Sequence, residues 1–365
     1  MGATSSQPNA CFSGLARPVS RRDLPVSPQE PIVVTVCGAA GHIGYSLLPM
    51  IAAGELFGPG RRVTLQCLDL NLPEVMDSMR GMEMEMQDGN FPLLHKVVFT
   101  TDDSEAFQGA DYAILLGAFP KQDGLDKREI MEKNVMIFRT MGRALEKHVK
   151  PDCKVLVVGN PAHTNAWICA QHAPSLRRNI FALTRLDQNR ATGQMAHHFG
   201  IAVHEIRNVV VWGCHAKFPD VDHAVVKGKP LMSCSDADRK GLNELFRKEM
   251  QQRGASIVKA RKASSAMSTA RAITDHIHDL HFGTRPGEFV SMGVWSDHGA
   301  YSIGDSLIFS VPVICQGGGQ YQVHKGLTLS TRSQEKLKQV ELEILQDRDL
   351  ARQCMKTAPE RERRA

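Results

Sequence analysis

The chain has 365 residues, 42% of them hydrophobic and 23% charged, which is length enough for two domains of ordinary globular composition. No apolar run reaches bilayer-spanning length, because the stretch from Ile32 to Ala53 is interrupted around Gly38, His42 and Pro49. The formal net charge of +5 owes much to the tails (Arg17, Arg21, Arg22; Arg361, Arg363, Arg364) and defines no nucleic-acid face, and nine cysteines without a CxxC pair point to reduced thiols.

Residues 1–30 are rich in Ser, Pro, Gly and Ala and lack a periodic apolar pattern, so they are expected to form a disordered extension. Beside that plain reading stand two targeting readings. Met1-Gly2-Ala3-Thr4-Ser5-Ser6 fits the N-myristoylation pattern, with Cys11 as a second acylation site, and acylation at Gly2 is the one route to a membrane. The segment to Arg22 also has three arginines and no acidic residue, as a mitochondrial presequence would, but its first ten residues hold no Arg.

From Pro31 onward the sequence predicts alternating strands and helices. Short β-branched runs at Ile32–Cys37, Val63–Asp69, Lys96–Thr100, Tyr112–Gly117 and Lys154–Gly159 are separated by helical segments such as Tyr45–Ala53, Val75–Asp88 and Arg128–Lys147. That order predicts an α/β fold whose parallel sheet is covered on both faces. A second region follows from about Leu186. It reads as a helix (Gln188–Phe199), a strand (Val209–Trp212), a hairpin-like stretch (Lys217–Pro230), helices at Asp236–Gln252 and Ala255–Leu280, strands at Phe289–Val294 and Leu307–Ile314, and a charged helix from Ser333 to about Cys354. The expected division is thus an extension over 1–30, a dinucleotide-binding domain over 31–185, a catalytic domain over 186–354 and a basic tail over 355–365.

Two constellations carry chemistry. Gly38-Ala39-Ala40-Gly41-His42-Ile43-Gly44 follows a strand and opens a helix, the context in which backbone N–H groups and a helix N-terminus hold a pyrophosphate. Asp69, at the end of the second strand, is placed to accept hydrogen bonds from ribose hydroxyls and to repel a 2′-phosphate, which favours NAD over NADP; it also suits a plain turn or N-cap aspartate. Downstream, Val211-Trp212-Gly213-Cys214-His215 and Leu186-Asp187-Gln188-Asn189-Arg190 supply an imidazole to take a hydroxyl proton, a carboxylate to orient it, and a guanidinium to grip a carboxylate. Together they suit oxidation of a 2-hydroxy acid.

With Val158-Gly159-Asn160-Pro161-Ala162, Leu183–Ala191, Ser265-Ala266-Met267-Ser268 and Gly287–Val294 added, the chain resembles the malate dehydrogenases, in their cytosolic-type branch, from about Pro31 to Ile314. The resemblance implies an N-terminal Rossmann domain followed by an α/β catalytic domain, a cytoplasmic homodimer, NAD as cofactor, and malate/oxaloacetate as the dicarboxylic substrate pair. It makes His215 the proton acceptor, Asp187 its partner and Arg190 the clamp on the C1 carboxylate. Asn160 would hold the reacting oxygen, before a peptide bond to Pro161 that is a cis candidate. The cofactor would lie against Gly38, Gly41, His42, Ile43, Gly44, Asp69, Gly117, Asn134, Val158 and Asn160.

The sequence departs from that family where substrate is chosen. Lys121 and Lys127 stand where the loop normally offers arginines, to the distal carboxylate and to the reacting oxygen, and lysine cannot form the bidentate fork. Alternatives therefore stay open: another 2-oxo acid, or a weakly active NAD-binding scaffold. The segment after His215 is two residues short, and Cys214 replaces the usual Asn as a small buried side chain. The histidines of Asp275–His281 lack the remaining geometry of a metal site, so none is predicted. The methionines of Met76–Met86 have helical spacing and suit packing, including at a dimer interface.

Overall fold

The computed structural model describes residues 29–120, 124–215, 218–233, 235, 242, 252–297 and 299–357. The expectations for the N-terminal extension, Lys121, most of a helix at Asp236–Gln252 and the end of the basic tail fall outside these residues.

The first half runs β1 (Ile32–Cys37), α1 (His42–Ala52), β2 (Val63–Leu68), α2 (Pro73–Asp88), β3 (Leu94–Thr100), α3 (Asp103–Phe107), β4 (Tyr112–Leu115), α4 (Lys127–His148), β5 (Lys154–Val157), α5 (Ala162–His172) and β6 (Ile180–Ala182). These strands pair in parallel in the order β3-β2-β1-β4-β5-β6. Strand order reverses between the parallel neighbours β1 and β4, so their carboxyl ends open a crevice. Alternate strand residues feed opposite cores: Ile114, Leu156 and Phe181 go to one side, and Leu115, Val155 and Ile180 to the other. Burial on both faces explains why the strands read as apolar runs and not as alternations.

The second half contributes α6 (Arg185–Phe199), β7 (Ile206–Arg207), β8 (Val210–Trp212), β9 (Phe218–Asp220), β10 (Val225–Val226), β11 (Lys229–Pro230), α7 (Arg253–Arg261), α8 (Met267–Phe282), β12 (Val290–Trp295), β13 (Ile308–Gly317), β14 (Gln320–Val323) and α9 (Thr331–Thr357). β12, β13 and β14 add antiparallel to the β6 edge, completing a nine-stranded sheet. Local signals fix several ends. Asp126 and Glu129 form a reciprocal capping box that starts α4, and Gly200, with φ +62°, closes α6 where an L side chain would be strained.

The single helix expected over Ala255–Leu280 is two. Lys262 turns left-handed (φ +57°) and ends α7, and Ser264 and Ser265, residues of modest helix preference, occupy the break before α8. In α2 the methionines divide: Met79, Met82 and Met86 are buried, while Met76 and Met84 face outward with Tyr45 and Leu72.

Candidate active site

The glycine loop joins β1 to α1 at the crevice. Gly38 has φ +81°, and a Cβ there would lie 2.8 Å from the Gly117 nitrogen, so β1 and β4 approach as closely as only glycine permits. A Cβ on Gly44 would meet the Ala39 carbonyl oxygen at 2.0 Å, which packs the start of α1 against the loop. The Asp69 carboxylate accepts the Ala40 and Leu70 N–H groups, each at 2.8 Å. Each oxygen keeps a second lone pair for a ribose hydroxyl. Beside it a groove of about 150 Å³ is bounded by Gly38, Asp69, Gly117, Ile137, Phe138 and Met141. This shape fits a dinucleotide: backbone and a carboxylate at one end, an apolar wall from α4 along the side. The α4 wall was missed in the sequence, where Ile137, Phe138 and Met141 have only the spacing of a helix core face.

The groove leads to a cavity of about 420 Å³ whose walls include Ile43, Val158, Asn160, Arg190, His215 and Ser265. The Asn160–Pro161 peptide bond is cis, and the buried Asn165 amide donates to the Gly159 carbonyl at 2.8 Å, holding that turn. His215 and Asp187 come from different elements, the segment after β8 and the first turn of α6. His215 Nδ1–H donates to Asp187 Oδ2 at 2.7 Å. Because an ionised carboxylate only accepts, Nδ1 carries the proton and Nε2 is left for the substrate. Burial pulls the imidazole toward its neutral form and Arg190 opposes its charge, but the Asp187 charge and hydrogen bond outweigh both and hold the His215 pKa above its ordinary value.

Arg190 lies on the same face of α6. Its Nη2 donates to Ser265 Oγ at 3.0 Å, and Nη1 stands 3.9 Å from Asp187 Oδ1. Its Nε is buried without a hydrogen-bond partner among the described residues. A buried guanidinium edge with an unused donor is what a carboxylate fills through parallel hydrogen bonds. Burial lowers the Arg190 pKa, Asp187 acts against this, and the nearby positive charge of Arg253, first residue of α7, adds to the lowering. Neither Ser265, a motif residue without an assigned role, nor Arg253 was identified as functional from sequence; the helix break that brings Ser265 to the cavity has no periodic signature.

Two expected contacts are placed elsewhere. Asn134 is fully buried, and its amide accepts the Phe119 N–H (3.0 Å) and donates to the Phe119 and Ile130 carbonyls, anchoring the chain ahead of the lysine loop. The Lys127 ammonium pairs with Asp347 of α9, outside the cavity walls, and His163 Nε2 lies 3.4 Å from the same carboxylate. Arg128 pairs along its own helix with Glu132 at 3.1 Å. Cys214 is buried, as its size suggests.

A nucleotide crevice at the β1/β4 reversal, opening onto an Asp–His pair and a buried arginine, defines a nicotinamide-dependent 2-hydroxy acid dehydrogenase. The comparisons narrow this class. Residues 32–182 match the family model for the lactate/malate dehydrogenase NAD binding domain, and residues 184–353 match that for the alpha/beta C-terminal domain. The chain belongs to the lactate/malate dehydrogenase family. It is 45% identical over 333 residues to a cytoplasmic malate dehydrogenase of Medicago sativa, covering 90% of this chain and 99% of the relative. Among solved structures it is similar to malate dehydrogenase from Naegleria fowleri (TM-score 0.83, 38% identity, 90% and 99% of the two chains). A Trichomonas vaginalis lactate dehydrogenase in complex with NADH and oxamate is also similar (TM-score 0.82, 33% identity, 89% and 99%).

Proposed function

We propose that the chain interconverts malate and oxaloacetate with NAD(H). The observation that carries the reaction is the Asp187–His215 hydrogen bond beside the unused donor edge of Arg190. When bound, the nicotinamide accepts or gives the hydride at C2. In malate oxidation the neutral His215 takes the hydroxyl proton at Nε2, and Asp187 stabilises the imidazolium that forms. In oxaloacetate reduction the protonated imidazole delivers that proton to the carbonyl oxygen, for which its raised pKa is suited. Arg190 grips the C1 carboxylate, Asn160 holds the reacting oxygen, and Lys121 meets the distal carboxylate. Lys127, engaged by Asp347, fixes the start of α4. His42 and Ile43 would help hold the cofactor, and Asp69 would select NAD through the ribose.

The loop lysines keep a second reading in view, a preference for another 2-oxo acid. Steady-state rates with oxaloacetate, pyruvate and an aromatic 2-oxo acid, each with NADH and NADPH, decide between them. A purified protein that turns over pyruvate faster than oxaloacetate would overturn the malate assignment.

The working form is a cytoplasmic homodimer, paired through the outward methionine face of α2, where Met76, Met84, Leu72 and Tyr45 leave apolar surface uncovered. Light scattering of the purified chain tests the mass. Acylation at Gly2 would add a membrane-bound fraction that Gly2→Ala releases. A wild type found wholly in the soluble fraction removes that idea, and mass spectrometry showing a new N-terminus near Arg22 would favour a cleaved presequence.

A further inference from the structure

His215 and Asp187 are carried by segments that are not neighbours in the main sheet, and two buried serines connect those segments. Val211, four residues before His215, faces Pro219 across the β8–β9 pairing. Pro219 has no N–H to offer, and Val211 turns both of its backbone groups the other way. Its N–H donates to Ser291 Oγ of β12 at 2.8 Å, and its carbonyl accepts from Ser310 Oγ of β13 at 2.7 Å. A reciprocal backbone pair, Gly213 N–H to Ser310 O at 3.0 Å and Ser310 N–H to Gly213 O at 2.8 Å, continues the seam toward His215.

The same two serines hold α6. Ser310 Oγ lies 2.8 Å from Thr184 Oγ1, and since its one proton goes to Val211, Thr184 is the donor, its hydroxyl shared with the Ser291 carbonyl at 3.3 Å. The Ser291 N–H donates to the Gln188 side-chain oxygen at 2.9 Å. Gln188 adjoins Asp187, and Thr184 is the residue immediately before α6. Thr184 occupies a position where a threonine ordinarily caps a helix, yet its hydroxyl makes no cap and is given to Ser310. Thr184, Ser291 and Ser310 are all at most 1% exposed, and Gln188 is buried. Hydroxyls so placed cost stability unless they are bonded, and here the bonds run through β12 and β13 from the start of α6, which carries Asp187, to β8, which leads to His215.

We propose that Ser291 and Ser310 are positioning residues that set the separation and alignment of the Asp187–His215 pair. The inference rests on the reading of that pair as the proton-transfer group. Neither serine lines the cavity, and each acts only through the backbone of β8 and the first turn of α6. Truncating either one lets β8 shift against α6, weakening the Asp187 contact to His215. The charged groups that bear on the imidazole are Asp187 and Arg190, both from α6. With Asp187 less well aligned, burial and Arg190 gain the upper hand, and the imidazole titrates at lower pH.

The test uses full-length Ser310→Ala and Ser291→Ala, with Thr35→Val as control. Thr35 makes a buried hydroxyl bond to the Ala106 carbonyl at 2.6 Å, the same kind of tie but remote from the pair. His215 is titrated by NMR, and kcat/KM for oxaloacetate and NADH affinity are measured beside it. The serine variants are expected to titrate at lower pH and to lose about 10- to 100-fold in kcat/KM with NADH affinity retained. Thr35→Val should lower only the melting temperature. Serine variants with wild-type titration and kcat/KM overturn the proposal, as does a Thr35→Val variant that shifts the titration equally. If Ser310→Ala does not fold, Thr184→Val breaks the same chain, and an unmoved His215 titration there overturns it too. A wild type inactive on oxaloacetate would refute the substrate assignment alone, since the NMR titration still decides the positioning role.

Discussion

Replacing His276 with leucine should flatten the acid side of the stability curve. His276 is fully buried on α8, edge-on to Phe181 with ring centroids 5.7 Å apart, and neither ring nitrogen has a hydrogen-bond partner among the described residues. Burial, aided by the positive charge of Arg185, pushes its pKa down to about 3. An unfolded chain would titrate this group near 6.5, so below that pH the unfolded state takes up a proton that the native state refuses. Stability from this residue is therefore present above pH 6.5 and is lost as pH falls toward 3. Between pH 7 and pH 5 the loss comes to about 2 kcal/mol, and it hardly depends on the native pKa provided that this lies well below 5. Against a total of roughly 5–15 kcal/mol for a typical domain, that is readily measured. Urea unfolding at both pH values, on wild type and His276→Leu, isolates the term because the other titrating groups are shared. The variant should lose about 2 kcal/mol less than wild type between the two pH values. Equal losses would refute the reasoning and show that the imidazole charges in the native state.

Four further outcomes follow from the site. His215→Asn should abolish turnover while NADH binding survives, since the imidazole acts on the substrate proton; undiminished oxaloacetate reduction rejects the role. Asp187→Asn removes a charge-assisted hydrogen bond worth about 1.5–3 kcal/mol, so oxaloacetate reduction near neutral pH should fall roughly 10- to 150-fold. Its alkaline limb should move to lower pH, because burial then acts on His215 with less opposition; an unmoved limb refutes the coupling. Asp69→Ser should weaken NADH binding and narrow the preference over NADPH, and an unchanged cofactor ratio would place the ribose contact elsewhere. Lys127→Gln should leave kcat/KM for oxaloacetate near wild type and cost up to about 1 kcal/mol of stability, because its ammonium is exposed and spent on Asp347. A large fall in kcat/KM would instead put Lys127 at the substrate.

Much of the sheet was legible because its strands are buried on both faces and stand out as apolar runs, as in Ile32–Cys37, where expectation and structure share both ends. The dyad was legible by chemistry, since a carboxylate, a guanidinium and an imidazole at Asp187, Arg190 and His215 have few other uses together. What stayed hidden depended on tertiary contact. The helix break at Lys262 needs a left-handed residue that no glycine announces, and Ser265 reads as part of a motif without marking a helix end. β6 is three residues long and β14 four, too short for a period to show. Asn134 reads as a polar residue in a helix; only the fold reveals that its amide closes on Phe119. The bonds from Ser291 and Ser310 to Val211 join residues 80 and 99 apart in sequence, which no local pattern can report.

The lysine loop matters because of the charge the cavity must meet. A monocarboxylic 2-oxo acid brings one negative charge, which the unused Nε edge of Arg190 is suited to answer. Oxaloacetate brings a second, which would cost heavily if desolvated without a countercharge. Burial lowers the Arg190 pKa most, Asp187 acts against it, and Arg253 adds positive charge beside the guanidinium. A loop lysine would bring one more positive charge to these groups. Its compact ammonium gives attraction without the planar fork, trading angular selectivity for charge. On this reasoning the replacement weakens discrimination among dicarboxylic acids of different length more than it weakens the preference for two carboxylates over one, because the first depends on directed bonds and the second on net charge.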